Sequence, residues 1–397
     1  MLSHLKTVWR PQALRPAVQE VPMKLERNFP GAARRPLASA AAAAALMTPF
    51  LLSAGAATAE TRGYVISWFA TATNYAPDFA TNCPKAAADP NSRFATTGKR
   101  RVDHAVVNGK EVAPLDYPDA LTKDPNVETV AGPYAYGFDL GGPASSKFTD
   151  PETHEKVDNQ LWRAVGCTTN FQFTPPTMPY MEGQAWNSGY ADSAPAWAMQ
   201  ISGADLSKDG PVTVTLDRTL DHLQRDALSG IRSDVTYVLD PSPRSHNVLN
   251  GEIKDGVLWI RGGSLWLQGS APYYIQVDLE NAHMRMRTEP GGKLVGYWGG
   301  YTDWHKWAYM FTSRCGAGFD CVGIYHSVQK LADHSPDASG KNQKISLTWR
   351  MEAVPAYLAT SDGKVLANAT GNGLGGKIFE DSVAKNAKTQ IANNVNQ

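Results

Sequence analysis

The sequence predicts a mainly β chain, an antiparallel sandwich of jelly-roll type or a barrel, with a short disulfide-stapled helical strap near its C-terminal third. Three observations support this. Short runs rich in Val, Ile, Thr and aromatics alternate apolar and polar residues, as half-buried strands do. Turn residues separate these runs at a spacing of roughly 8 to 12 residues. Between them there is little room for the crossover helices that a parallel sheet requires.

The chain opens with a leader over residues 1–59. Arg34 and Arg35 precede an apolar run from Leu37 to Leu52, and Ala57-Thr58-Ala59 supplies a small-x-small cleavage site before Glu60. Met23, followed by Lys24 and Arg27, offers a second start that would give a signal of ordinary length. This pattern places the mature protein in the periplasm or outside the cell. The apolar run is short of the roughly 20 residues that span a bilayer. No later segment is longer or more apolar, so no transmembrane anchor is expected in the mature chain.

Lys and Arg number 38, as do Asp and Glu, but the leader holds seven of the former and two of the latter. The remainder carries 31 basic and 36 acidic residues, a net charge of −5. That sign argues against a nucleic-acid partner, which calls for a basic stripe to displace counterions from phosphates.

Residues 60–370 read as a single mainly β domain, followed by a polar tail over 371–397. Gly63 to Phe69 forms the first expected strand. From Pro77 to Lys156, frequent Pro, Gly, Asp and Asn predict short strands in long loops. Leu161 to Val165 reads as a strand entering Cys167, and the residues from there to Pro195 as surface loop. Met199 to Ser202 and Val212 to Leu216 alternate as strands, while Leu220, Leu223, Ala227 and Leu228 suggest a short helical face. Val235 to Val238, Val248 to Ile253 and Val257 to Ile260 are the next strands. The last two are joined by Lys254-Asp255-Gly256, where Asp-Gly fits a type I′ hairpin. Leu265 to Leu267, Tyr274 to Val277 and Ala282 to Thr288 continue the series to a turn at Pro290-Gly291-Gly292.

The stretch Leu294 to Cys321 is the densest in aromatics and glycines. Its first half predicts a strand ending at Gly299-Gly300. Thr302 is then the expected N-cap of a helix with Trp304, Trp307, Ala308 and Phe311 on one face. Val322, Tyr325, Val328, Leu331 and Ala332 make a second helical face, with Asp320 near its start. Asp333 to Lys344 reads as a polar turn and Ile345 to Met351 as a closing strand.

Four cysteines allow three pairings. The loop between Cys315 and Cys321 favours a local bridge, which leaves Cys83 with Cys167; all four follow the leader, as suits an oxidising compartment.

No nucleophile elbow, P-loop, dinucleotide fingerprint or zinc-protease helix is present, so function rests on residue chemistry. Tyr297, Trp298, Tyr301 and Trp304 are candidate ligand-binding residues, because aromatic faces stack on the C–H faces of sugars while core packing is their alternative role. The expected activity is thus binding of a glycan or related polymer at an aromatic surface. A competing expectation is a hydrolase or lyase, with Asp303, Asp320 and His305 as candidate acid and base. A third is a structural envelope protein whose aromatics are core. Calcium is the candidate cofactor, through Asp139, Asp158 and Asn159, with Asp333, Asp337 and Asn342 as a looser second group. His283, Met284 and Met286 have copper-type ligand chemistry but alternate along a strand, which favours packing.

Overall fold

The computed structural model describes residues 59–72, 79–84, 105–112, 128–167, 195–228, 230–267, 277–312, 321–369 and 372–380. It is mainly β, as the alternation predicts. The first strand, β1, spans Glu60–Thr71 and leads to a short helix α1, Phe79–Asn82. A hairpin of β2 (Ala105–Val107) and β3 (Lys110–Val112) follows, then a small pair of β4 (Phe148–Thr149) and β5 (Lys156–Val157). Helix α2 covers Gln160–Val165. The main strands resume with β6 (Pro195–Gly203), β7 (Gly210–His222), β8 (Val235–Val238), β9 (Asn247–Lys254) and β10 (Val257–Arg261). Strands β11 (Ser264–Leu267), β12 (Val277–Thr288) and β13 (Leu294–Asp303) precede helices α3 (Trp304–Thr312) and α4 (Cys321–Leu331). The described chain ends with β14 (His334–Pro336), the long β15 (Asn342–Ala359) and β16 (Val365–Ala367).

Eight of these strands, β1, β6, β7, β9, β10, β12, β13 and β15, pair antiparallel in chain order, and β15 returns to pair with β1. The ring is therefore closed. A single cross-strand row can be followed round it: Glu60, Gly203, Val212, Gly251, Ile260, Met284, Trp298, Trp349 and back to β1 at Thr71. The row comes home 11 residues along β1 from its start, the stagger that accompanies strand tilt in a barrel.

Alternation sorts side chains between the inside and the outer wall. Met284, Met286, Trp298, Leu347, Trp349 and Met351 belong to the buried core, while their neighbours Arg285, Tyr297 and Arg350 face outward. The interior is filled by aromatic rings. Phe69 lies 4.8 Å from Trp349, 5.2 Å from Trp197 and 5.9 Å from Trp298 between ring centroids, and Trp307 of α3 meets Trp349 at 5.7 Å. Edge-on contacts of this kind add to the large area each ring removes from water.

Turn chemistry agrees with the sequence at the β9–β10 hairpin. Asp255 and Gly256 both adopt positive φ, 55° and 78°, as a type I′ turn demands. Cys83 and Cys167 form the expected disulfide. It ties the segment Glu128–Cys167 to the residue after α1, and both cysteines are buried in the main core. Cys315 lies outside the described residues, as do residues 1–58, 168–194 and 274–276 and Asp320. Among the described residues no helix is long and apolar enough to cross a membrane.

The structure corrects four local expectations. Leu161–Val165 is helical, because the Asn159 side chain accepts from Trp162 N and caps the turn, letting Leu161, Trp162, Ala164 and Val165 bury together. Leu220 to Leu228 forms no helix: β7 runs on to His222, and Leu228 is 92% exposed. The strand from Leu294 passes through Gly299-Gly300 to Asp303, held on both sides by β12 and β15. Thr302 is thus a strand residue, and Asp303 caps α3 by accepting from His305 N at 2.8 Å. The polar tail is held as far as residue 380: Leu374 is buried, Arg62 donates to Asn372 O and Gly373 O, and Phe379 N donates to Thr288 O.

Candidate functional site

The four aromatics singled out in the sequence are all buried: Tyr297 is 3% exposed, Trp298 0%, Tyr301 2% and Trp304 3%. They do not form the exposed stacking surface that the sequence suggested. Trp298 points into the barrel, and Trp304 packs edge-on against Tyr325 of α4. Tyr297 and Tyr301 point to the outer wall but lie under the segment 134–158. There Tyr136 stacks on Tyr297 at 4.5 Å, and the Tyr297 hydroxyl donates to Glu152. The Tyr301 hydroxyl donates to Leu140 O, and His334 stacks on its ring at 4.1 Å. Burial, then the negative charge of Glu152, drives the Tyr297 pKa up. Burial, then Asp333, does the same to Tyr301. Neither hydroxyl is placed to ionise near neutrality.

Most of the oxygen ligands named for calcium have protein partners, Oδ1 of the buried Asp158 being without a hydrogen bond. Asp139 pairs with Lys147 and accepts from Gly141 N, which together hold its carboxyl below the usual range. Lys147 also stands 3.8 Å from Asp158, whose Oδ2 accepts from Leu140 N and Gly142 N. An ammonium thus supplies the cation between the two carboxylates. Asn159 caps α2 with its oxygen and donates to Tyr136 O. In the second group, Asp337 closes a turn by accepting from Ser339 and Lys341, and Asn342 donates to Ala332 O. Asp333 accepts from both N and Oγ of Ser346, and burial pushes its carboxyl up to about 6. Among the described residues no group of three or more His, Cys, Asp or Glu side chains is arranged to hold a metal. Asp303 and His305 do meet, at 3.0 Å, as part of the α3 cap, with the imidazole stacked on Trp304. His283 faces outward against Phe138, opposite to Met284 and Met286.

The outer wall carries a pattern that linear sequence does not display. One row of paired residues runs Glu252, Trp259, Arg285, Tyr297, Arg350 across five strands. Its β12–β15 half is roofed over. Arg285, 7% exposed, reaches Asp150 at 3.3 Å and Glu152 at 3.2 Å, and Arg287 reaches Glu152 at 3.4 Å. The β9–β10 half is open: the side chains of Arg261 and Glu252, an ion pair, are 53% and 46% exposed.

Along this open half β10 and β11 pair with the same edge of β12, Trp259 opposite Arg285 and Trp266 opposite Asp278. Between them the chain bends at Gly262 and Gly263, whose φ values of 90° and 119° suit only glycine. Leu258, Ile260, Leu265 and Leu267 face the core, which turns Trp259 and Trp266 outward on one face, both half-buried. They stand seven residues apart in the chain, and the glycine bend keeps their spacing below the roughly 23 Å of a straight strand of that length. Each has a guanidinium near its ring, Arg261 at 4.7 Å from the Trp259 centroid and Arg244 at 4.4 Å from that of Trp266. Alternation around Trp259 was the available sequence signal for this face; its alignment with Trp266 depends on the shared partner strand.

Comparison of the chain with known protein families, curated proteins and solved structures returns no match.

Proposed function

We propose that this protein binds an extended glycan along the open half of the outer wall, over β10 and β11. The observation that carries the proposal is the pair of half-buried tryptophans, Trp259 and Trp266, on one face of a continuous strand edge. Indole faces suit the C–H faces of sugar rings, and Arg261, Glu252 and Arg244 beside them can bond hydroxyl or carboxylate groups. Two indoles seven residues apart on adjoining strands, at less than roughly 23 Å, suit several residues of a polymer better than one monosaccharide. In this reading the closed ring is a barrel rather than a two-sheet sandwich. Its aromatic interior serves stability, and binding takes place on the wall. The leader and the Cys83–Cys167 disulfide support action in the periplasm or outside the cell.

Retention of the purified protein on a panel of insoluble and immobilised polysaccharides tests this. Wild type is expected to bind at least one, and Trp259→Ala and Trp266→Ala each to weaken that binding by about tenfold or more, one aromatic hot spot being worth about 2 kcal/mol. A folded wild type that binds none of them, or tryptophan variants that bind like wild type, would overturn the proposal.

A further inference from the structure

One pair of side chains beside the open wall is arranged as a catalytic dyad is. Asp217, on the outer face of β7, is 4% exposed. His246, at the entry to β9, brings Nδ1 to 2.7 Å from Asp217 Oδ1 while its own side chain stays 55% exposed. Gln200 Nε2 donates to the other carboxylate oxygen at 3.3 Å. The sheet does not need this contact, because β7 and β9 are already joined by a ladder from Gly210–Ile253 to Leu216–Asn247. With Asp217 ionised, Nδ1 is the proton-bearing nitrogen, and the Nε2 lone pair is left free to accept a proton.

The turn that carries His246 also carries a cation. Arg244 lies two residues before His246 and rests 4.4 Å from the Trp266 ring centroid. Asn247, the residue after, accepts from Trp266 N at 2.7 Å and donates to Trp266 O at 2.8 Å, so the turn is fixed to β11. A guanidinium held by an aromatic face is preorganised to pair with a carboxylate. One turn at the end of the tryptophan track therefore carries both a guanidinium, at Arg244, and an oriented base, at His246.

Resting on the glycan reading above, we propose that this end of the track is a catalytic site that cleaves a uronic-acid polymer by β-elimination. Arg244 pairs with the C6 carboxylate of a bound uronate and so acidifies the neighbouring C5–H. His246 Nε2 removes the C5 proton, and the C–H electron pair becomes the C4=C5 double bond. The C4–O4 bond breaks with its electrons on the leaving sugar oxygen, which takes a proton from solvent; the imidazolium returns its proton to solvent. One glycosidic bond is exchanged for one carbon–carbon double bond, and no co-reactant is consumed. His246 and Arg244 are the catalytic residues, and Asp217 is a positioning residue.

The test incubates the full chain with polygalacturonate, alginate and hyaluronate, and with a neutral glucan as control. The ultraviolet absorbance of the new double bond and retention on each polymer are followed in parallel. The expected result is absorbance growth with a uronate polymer and none with the glucan. His246→Ala should cut the rate about 10²-fold or more, the usual worth of a general base, while retaining binding. Asp217→Asn should move the pH profile of the rate, which a purely structural pair would not do. Retention of a uronate or neutral polymer without any unsaturated product would overturn the elimination and leave the binding track standing, as would a His246→Ala variant working at the wild-type rate. Failure to retain any polymer would overturn both.

Discussion

The two halves of the outer wall are built from the same kinds of side chain and use them in opposite ways. On the roofed half, Arg285, Arg287, Tyr297 and Tyr301 are consumed by partners within the protein: Asp150, Glu152, Tyr136 and Leu140 O. On the open half, Trp259, Arg261, Glu252, Trp266 and Arg244 stand nearer the surface, with Arg261 paired to Glu252 and lying over Trp259, and Arg244 lying over Trp266. Residue type does not separate the two halves. What separates them is the segment 134–158, which covers one half through its contacts with Arg285, Arg287, Tyr297 and Tyr301.

Removing corresponding groups from each half sharpens the contrast. Arg285→Ala leaves the carboxylate of Asp150, 0% exposed, without its guanidinium partner and held by the N–H groups of Gly137, Glu152 and Thr153, and should cost about 3 kcal/mol in denaturant unfolding. Arg261→Ala breaks an ion pair that is about half exposed on both sides, and should cost less than about 1 kcal/mol. If the two variants unfold alike, the roofed and open halves are not distinct. Replacing Cys83 and Cys167 together by alanine frees the roof segment from an 84-residue closure, and should lower stability by about 2–5 kcal/mol.

The roof also carries a pH signature. Asp333 has its carboxyl raised from 3.8 to about 6, chiefly by burial and further by Asp158, against the two Ser346 hydrogen bonds that lower it. The folded state therefore binds the proton more tightly than the unfolded state. The stability this contributes is full below pH 4 and is lost as pH rises through 6, by about 3 kcal/mol for two pKa units. Asp217, also raised by burial, acts in the same direction. Asp333→Asn should flatten the stability profile between pH 4 and 6, and an unchanged slope would contradict the assignment. Smallest of all is the expected effect of a calcium chelator on the melting temperature: none, because the Lys147 ammonium lies between Asp139 and Asp158, and Asp158 Oδ2 already accepts from Leu140 N and Gly142 N.

Much of the barrel was legible in the sequence, because strands with one buried face must alternate and Asp255-Gly256 fixes the register of a hairpin. Closure of β1 on β15 was not, since the partners lie nearly 300 residues apart and neither strand names the other. Leu161–Val165 misled because Trp and Val favour strands, whereas the cap that Asn159 supplies and burial against the barrel decided for a helix. Tyr297 and Tyr301 lie on the outer face of their strand, opposite to Trp298. What hid them was a distant segment, and no local pattern announces such a cover. The Asp217–His246 pair escaped notice for a similar reason, joining residues 29 apart across a strand pair.

Affinity electrophoresis in gels containing the retained polysaccharide compares the two halves most directly, using Trp259→Ala, Trp266→Ala and Tyr297→Phe. The expected result is loss of retardation for both tryptophan variants and wild-type retardation for Tyr297→Phe, which removes only a hydroxyl that already donates to Glu152. Retardation abolished by Tyr297→Phe, or kept by both tryptophan variants, would contradict the placement of the binding face on the open half.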